Sequence, residues 1–281
     1  MPSVSLDTLW FQVAGTLCNL KCTHCFISCS PTNHHHEMLT LEDVRARLRE
    51  AIPLGVREYY FTGGEPFMVP EIFTMIEESL RQGPVSVLTN GLLLSPERCR
   101  KLKQISDRSD YSFDVRISID GYTPEVNDPI RGAGTFEKIL VGIRNLAEAG
   151  LNPVVTVTEA CGEAASADGR TKFLEWMREI SLDRPRLKIL SLFRIGAEEQ
   201  RLRAYESWES LQGRALTGED AEKLQCSSCR MVTSRGVYVC PILIDEPAAR
   251  MGESLEETLR PFELRYNACF TCHEYGVTCR T

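Results

Sequence analysis

The sequence predicts an α/β protein, a partial (β/α)6 TIM-like barrel followed by a small cysteine-rich C-terminal domain. Strand-like and helix-like segments alternate six times between residues 9 and 192, and repeated βα units build a parallel sheet with helices outside it. Six units are too few for the usual eight-stranded barrel. After residue 212 the chain becomes polar and then rich in cysteine, which places a domain boundary near residue 213.

The six units rest on apolar runs of strand length and on helix-terminal signals. Thr40 and Asp43 form a candidate capping pair before one helix, Pro70 begins a second, and Gly150 closes a third. The predicted strands are 9–16, 57–62, 85–88, 113–119, 154–158 and 187–192, and the predicted helices are 41–52, 70–81, 96–105, 135–149 and 171–180.

Composition narrows the class of protein. Hydrophobic residues make up 43% and charged residues 25% of the 281 positions, as in ordinary globular proteins. A net charge of -7 without runs of like charge gives no attraction to nucleic acid or to an anionic membrane. We find no membrane span and no signal peptide, so we expect a cytoplasmic location. In that reducing compartment the 12 cysteines are expected to bind metal or to catalyse.

The first cysteine group follows directly on the first predicted strand. Cys18, Cys22 and Cys25 have the pattern Cys-x3-Cys-x2-Cys. Three thiolates can ligate three irons of a four-iron cube and leave the fourth iron open for a ligand. Taken alone, the same three residues are also compatible with a zinc site or with buried thiols.

This cysteine pattern resembles that of the radical S-adenosylmethionine (SAM) superfamily, and further motifs at predicted strand ends strengthen the resemblance over residues 9 to about 195. The segments are Thr62-Gly63-Gly64-Glu65-Pro66, Leu88-Thr89-Asn90-Gly91, Ser118-Ile119-Asp120-Gly121 and Asn127-Asp128-Pro129-Ile130-Arg131-Gly132. The family commonly has an aromatic residue before its third cysteine, where this chain has His24. That imidazole is a candidate to pack against adenine or to tune the cluster by hydrogen bonding.

The resemblance implies the cofactors and the residues that bind them. A [4Fe-4S] cluster takes an electron from a donor such as flavodoxin or ferredoxin and cleaves SAM reductively, which releases a 5′-deoxyadenosyl radical that abstracts hydrogen from a substrate. Residues 62–65 are implied to hold the SAM amino group, and their glycines let the backbone approach the ligand. Ser118 and Arg131 are implied to bind the SAM carboxylate, and Asn90 or Asp120 to face the ribose or the substrate.

The second cysteine group lies near the C-terminus. It comprises Cys226, Cys229, Cys240, Cys269, Cys272 and Cys279. Gly236, followed by an apolar run, predicts a short hairpin that delivers Cys240. The group resembles the SPASM or twitch extensions of radical SAM enzymes, which implies one auxiliary [4Fe-4S] cluster held by four of the six. The choice between Cys226 and Cys229 stays open, Cys279 is a candidate spare residue, and the alternative is a zinc ribbon.

The remaining cysteines, histidines and aromatic residues are not assigned a role in cofactor binding. We expect Cys29 to be a free thiol rather than a group that acts on substrate, and Cys99 and Cys161 to be small hydrophobic or bystander residues. The three histidines 34–36 could bind metal, but we expect them to be solvated. The aromatic residues Trp10, Phe11, Tyr59 and Tyr60 are predicted to be core, and residues 193–196 are candidates to line a substrate cavity.

We therefore predict a radical SAM enzyme that acts on a small-molecule or peptide substrate held between two clusters. The auxiliary cluster would accept an electron from the substrate radical or ligate the substrate. A ribosomal-peptide maturase is one option within the class, although only 17 residues precede Cys18, too few for a fused leader-binding domain. A non-enzymatic zinc or iron–sulfur protein that carries electrons or binds a partner is the rival, but it would not need the SAM motifs at Gly63-Gly64, Ser118 and Arg131.

Overall fold

The computed structural model describes residues 1, 3 and 5–276, so Cys279 lies outside the described residues. A mixed sheet with the strand order β6-β5-β4-β3-β2-β1-β7-β8-β9 forms its centre. The strands are β1 (Thr8–Gln12), β2 (Glu58–Thr62), β3 (Val85–Thr89), β4 (Phe113–Ser118), β5 (Val154–Thr158), β6 (Arg186–Leu190), β7 (Cys229–Thr233), β8 (Gly236–Tyr238) and β9 (Arg250–Gly252). The helices are α1 (Leu41–Leu54), α2 (Ile72–Ser79), α3 (Pro96–Asp107), α4 (Pro124–Arg131), α5 (Thr135–Glu148), α6 (Ala167–Glu179), α7 (Ala197–Arg201), α8 (Gly218–Lys223) and α9 (Ala268–Tyr275).

Strands β1 to β6 are parallel and lie side by side in chain order. The strand order places β6 at one edge of the sheet, so the barrel is open. The predicted partial (β/α)6 barrel is therefore confirmed. The carboxyl ends of its strands share one edge, where the sequence motifs were expected to meet.

Local signals explain where the helices begin and end. The Thr40 hydroxyl accepts a hydrogen bond from the Asp43 N–H, and the Asp43 carboxylate accepts one from the Thr40 N–H, which completes the predicted capping box. Helix α4 was not predicted. It has Pro124 in its first turn and Pro129 inside its eight residues, so it lacks the uninterrupted pattern that identifies a helix. It ends at Arg131, which it delivers to the strand ends.

The C-terminal segment extends the same sheet. Strand β7 pairs in parallel with β1, from Thr8 opposite Cys229 to Phe11 opposite Val232. Strand β8 then runs antiparallel to β7 and forms the predicted hairpin before Cys240. The boundary near residue 213 stays a prediction, and the segment beyond it adds three strands to the barrel sheet.

Two apolar clusters fill the interior. The larger lies between the sheet and the outer helices and includes Phe11 and Tyr59. The smaller includes Trp10 and Tyr60, whose rings stack 4.3 Å apart, together with the five described cysteines of the second group. The four aromatic residues predicted to be core are therefore buried. In the part of the chain that the structure describes, no helix combines the length and the apolar character needed to cross a bilayer.

Candidate active site

A cavity of about 220 Å³ opens at the carboxyl ends of the barrel strands. Cys18, Cys22 and Cys25 all line it, so the structure brings the first cysteine group together. Most residues implied to bind SAM line the same cavity, namely Thr62, Gly63, Gly64, Asn90, Ser118 and Arg131. The other two, Glu65 and Asp120, are fully buried and are absent from its lining.

The three thiols fit a metal cluster. The Leu20 N–H donates to Cys18 Sγ at 3.4 Å, and the Cys29 N–H donates to Cys25 Sγ at 3.3 Å; such bonds to sulfur tune iron–sulfur clusters. Burial raises the pKa of Cys18 to about 12 and that of Cys22 to about 11. A hydrogen bond from the Cys29 side chain lowers the pKa of Cys25 to about 6. At neutral pH two of these thiols therefore ionise only when a bound metal displaces their protons.

The loop after β2 docks directly onto the cysteine loop. The Gly64 N–H donates to Gly15 O at 2.9 Å, and the Glu65 N–H donates to Leu17 O at 3.0 Å. A Cβ on Gly64 would lie 1.8 Å from Leu17 O, which no real contact permits. The glycine was expected to admit the ligand. In the structure it also admits the backbone of the cysteine loop.

Glu65 lies behind the cavity wall. Its carboxylate accepts hydrogen bonds from the Thr89 hydroxyl at 2.7 Å, the Asn90 N–H at 2.8 Å and the Phe67 N–H at 3.1 Å. Burial raises the pKa of this carboxyl group. Glu65 therefore ties the loop after β2 to the loop after β3.

Asp120 is also buried outside the cavity lining and contacts residues that belong to it. Its Oδ2 lies 2.6 Å from His24 Nε2 and 2.7 Å from Arg131 Nε, and its Oδ1 accepts from the Thr158 hydroxyl at 2.6 Å. Burial alone would raise the pKa of Asp120, but Arg131 and His24 hold it well below its usual range. We expected Asp120 or Asn90 to face the ribose or substrate. Asp120 instead orients two side chains that line the cavity, whereas Asn90 lines it directly.

His24 and Asn90 present polar atoms near the cysteines. His24 Nδ1 is buried and has no hydrogen-bond partner among the described residues. Asn90 Nδ2 donates to Asn19 Oδ1 at 2.6 Å and lies 3.7 Å from Cys18 Sγ. These side chains are placed to contact a cluster or its ligand.

Part of the second cysteine group lines a separate small cavity of about 20 Å³. Four thiols of the group line it, those of Cys226, Cys240, Cys269 and Cys272. Burial raises the pKa of Cys226 to about 11 and that of Cys269 to about 12. The Gln225 amide lines the same cavity, and both of its polar atoms lack partners among the described residues. Four buried thiols beside an orphaned amide fit an iron–sulfur cluster, whose sulfides accept hydrogen bonds.

Cys229 lies apart from that lining set. It begins β7, is buried, and has its Sγ 4.0 Å from Val239 O. The geometry therefore favours Cys226 over Cys229 as a ligand, a choice that the sequence left open. Cys279 falls outside the described residues.

The histidine loop differs from the expectation of a solvated segment. His36 is 1% exposed, and its Nε2 lies 3.0 Å from Asp245 Oδ1. The neighbouring His35 is exposed and lies 3.0 Å from Arg235 Nη1. The prediction is wrong for His36 because the C-terminal segment packs over this loop, a contact that local sequence does not reveal.

Three cavity residues come from the C-terminal segment and were missed. Met231, Pro241 and Ile242 line the main cavity. The only available signal was their proximity in sequence to Cys229 and Cys240. Phe193, a predicted candidate, lines the cavity as well, and Cys29 does so beside Cys25.

An open barrel with a three-cysteine loop after β1 and glycine-rich and polar strand ends defines a class of metalloenzymes. Residues 13–162 match the radical SAM superfamily, and this chain belongs to that superfamily. Its members use a [4Fe-4S] cluster and SAM. Because the matched family consists of enzymes, membership excludes the alternative of a non-enzymatic zinc or iron–sulfur protein.

Two curated relatives illustrate the range of the family. The GTP 3′,8-cyclase of Peptoclostridium acidaminophilum is 34% identical over 149 residues, which cover 52% of this chain and 44% of that protein. The mycofactocin maturase MftC of Mycobacterium tuberculosis is 35% identical over 134 residues, which cover 47% of this chain and 32% of that protein. The matched region thus spans less than half the length of either relative.

A solved structure matches through the C-terminal segment. Streptococcus suis SuiB bound to S-adenosylmethionine has a TM-score of 0.66 at 16% identity, over 93% of this chain and 67% of SuiB. SuiB bound to its precursor peptide SuiA has a TM-score of 0.68 at 15% identity, over 93% of this chain and 66% of SuiB. At these identities the match establishes the fold.

Proposed function

We propose that this chain uses Cys18, Cys22 and Cys25 to hold the SAM-binding cluster and acts on a peptide in the main cavity. The convergence of these cysteines and six SAM-motif residues on one cavity carries the proposal. When bound, the cluster and SAM supply a 5′-deoxyadenosyl radical that abstracts a hydrogen atom from the substrate.

Arg131 and Ser118 are proposed to bind the SAM carboxylate, and the backbone at residues 62–64 its amino group. Burial opposes the charge of Arg131, but Asp120 and the Cys22 thiolate raise its pKa, so it remains a cation. Asp120 fixes this guanidinium at one side, which leaves its other N–H groups for an anion. His24 is proposed to contact the adenosine or the cluster through Nδ1.

The cavity lining supports a peptide rather than a nucleotide substrate. Arg131 is its one permanently charged residue among the described lining residues. A triphosphate needs several cationic partners, whereas the apolar side chains that line the cavity suit an uncharged side chain. Those apolar residues are Phe26, Ile27, Phe193, Met231 and Ile242. The name of one relative, the maturase MftC, agrees with this choice, and the structural neighbour SuiB has been solved with a precursor peptide bound. A neutral small molecule is the alternative.

Cys226, Cys240, Cys269 and Cys272 are proposed to hold the auxiliary cluster. Four thiolates complete the coordination of a four-iron cube and leave no iron open. This arrangement supports electron acceptance from the substrate radical over ligation of the substrate. A flavodoxin or ferredoxin is the proposed electron donor, and a cytoplasmic location is proposed because metal-binding cysteines suit a reducing compartment.

Metal analysis of cysteine variants tests the proposal. Anaerobically reconstituted protein should hold about eight irons and eight sulfides per chain, two four-iron cubes. Cys22→Ala should lose about half of the iron and all SAM cleavage. The double variant Cys269→Ala with Cys272→Ala should also lose about half, yet still form 5′-deoxyadenosine while substrate turnover is lost. Cys99→Ala, at a buried cysteine of α3 away from both cavities, is the matched control and should keep all its iron.

Each part of the proposal would be contradicted by a different experimental result. About four irons with one zinc per chain would exclude the auxiliary cluster. Methylthioadenosine in place of 5′-deoxyadenosine would show that a different carbon–sulfur bond breaks. Loss of SAM cleavage in a well-folded Cys269/Cys272 variant would refute the division of labour between the clusters.

A further inference from the structure

Arg230 is a buried cation beside the auxiliary cysteines. It lies on β7 with 1% of its surface exposed. Its guanidinium makes five hydrogen bonds, two to Thr258 O and one each to Cys226 O, Cys229 O and Ser3 Oγ. A guanidinium has five N–H donors, so every donor of Arg230 is used.

All of these acceptors are uncharged. A buried charge is costly unless an opposite charge compensates it, and none of the ion pairs of the described residues includes Arg230. One of its acceptors, Cys226 O, belongs to a residue that lines the auxiliary cavity together with Cys240, Cys269 and Cys272. Around bound iron these four cysteines are thiolates, and they supply negative charge close to Arg230.

We propose that Arg230 is the internal counter-cation of the auxiliary cluster and raises its reduction potential. This inference rests on the proposed function, in which that cluster accepts one electron. An oxidised four-iron cube with four thiolates carries two net negative charges, and the added electron makes a third. A fixed positive charge nearby favours the more negative state. Arg230 is therefore a positioning residue that acts through the cluster.

The same side chain also secures the ligand loop, so its charge must be separated from its hydrogen bonds. Arg230→Lys keeps the charge but loses the five-donor fork. Arg230→Gln removes the charge and keeps an amide donor. Arg260→Gln removes the same charge from an exposed side chain, whose Nη2 donates to Met251 O, and it serves as the matched control.

The test is a redox titration of the full chain in which Cys18, Cys22 and Cys25 are all replaced by alanine, so that only the auxiliary cluster remains. Dithionite supplies the electron, and electron paramagnetic resonance reports the reduced cube. Arg230→Gln should shift the reduction equilibrium at least tenfold toward the oxidised form, a fall of about 59 mV for a one-electron couple. Arg230→Lys and Arg260→Gln should stay near the parent protein.

The outcomes are separable. If the parent holds no second cube, the proposed function fails and the inference falls with it. If the cube is present and Arg230→Gln keeps the parent potential, the inference alone is overturned. If Arg230→Gln loses the cube while Arg230→Lys keeps both the cube and its potential, the charge is required and the inference stands. If both variants lose the cube, hydrogen bonding explains Arg230 and the counter-cation role is overturned.

Discussion

At the scale of single residues, Asp120 links the cysteine loop to helix α4 through one carboxylate. His24 comes from the loop after β1 and Arg131 from the end of α4, and both reach the same Oδ2 atom. The Thr158 hydroxyl and N–H hold the other oxygen from the end of β5. The charge on Asp120 thus fixes two groups that face the cavity.

Asp120→Asn keeps the shape of the side chain and removes this charge. Breaking a buried ion pair costs about 3–5 kcal/mol, so we expect the free energy of unfolding to fall by that amount and SAM to bind more weakly. Asp114→Asn is the matched control, because Asp114 pairs with the partly exposed Arg186 and such pairs contribute about 0–1 kcal/mol. Urea unfolding and calorimetric SAM titration measure both effects. Equal losses in the two variants would contradict this role of Asp120.

The lowered pKa of Asp120 also determines how the stability contributed by this carboxylate depends on pH. A carboxyl group with a lowered pKa in the folded state stabilises the protein above its unfolded value of about 3.9. The stability difference between wild type and Asp120→Asn should therefore persist from neutral pH to about 5 and shrink only below about 3.9. A difference that vanishes already at pH 6 would contradict the assignment.

The sequence predicted residues well where the site is built from neighbours in the chain. Cys18, Cys22 and Cys25 meet because four- and three-residue spacings bring them onto one loop. It could not predict that the Glu65 and Asp120 carboxylates turn away from the cavity, because their partners come from other strand ends. Spacing alone could not separate Cys226 from Cys229 either.

At the scale of elements, the site depends on the contact between the loops after β1 and β2. Gly64 makes this contact possible because a side chain there would overlap Leu17 O. The bonds from Gly64 N–H to Gly15 O and from Glu65 N–H to Leu17 O hold the two loops together.

Gly64→Ala should therefore displace the cysteine loop and reduce the iron content by about half, since only one of two cubes is affected. The auxiliary cluster should keep its electron paramagnetic resonance signal. Gly162→Ala is the matched control, because no atom lies within 4 Å of the added Cβ. Iron analysis of the two variants measures the effect. A Gly64→Ala protein with full iron content would show that the loops tolerate separation.

Elements with a strong periodic pattern were predicted to within a few residues, as α5 and β5 show. The short helix α4 was missed because Pro129 interrupts its pattern, and helix propensity is a local property. The pairing of β7 with β1 was also missed. It joins segments more than two hundred residues apart, which no local signal reports.

At the scale of the whole molecule, the C-terminal segment is part of the barrel core. Val232, Val237 and Leu255 pack within the larger apolar cluster of the barrel. The Met1 amino group donates to Phe262 O at 2.8 Å, and the Leu255 N–H donates to Glu50 Oε2 at 2.8 Å. The composition of the chain changes near residue 213, but the packing of the apolar core continues across that point.

Truncation tests whether residues 1–212 fold alone. Without β7, the buried strand β1 would present an unpaired edge with Leu9 and Phe11 along it, and such edges promote aggregation. We expect the fragment to precipitate or to lack a cooperative thermal transition. A chain ending at residue 276 is the matched control, which removes Cys279 but keeps the four proposed auxiliary ligands, and it should retain both clusters. Circular dichroism melting and iron analysis measure both chains. A soluble 1–212 fragment that holds about four irons and binds SAM would show that the barrel is independent of the segment completing its sheet.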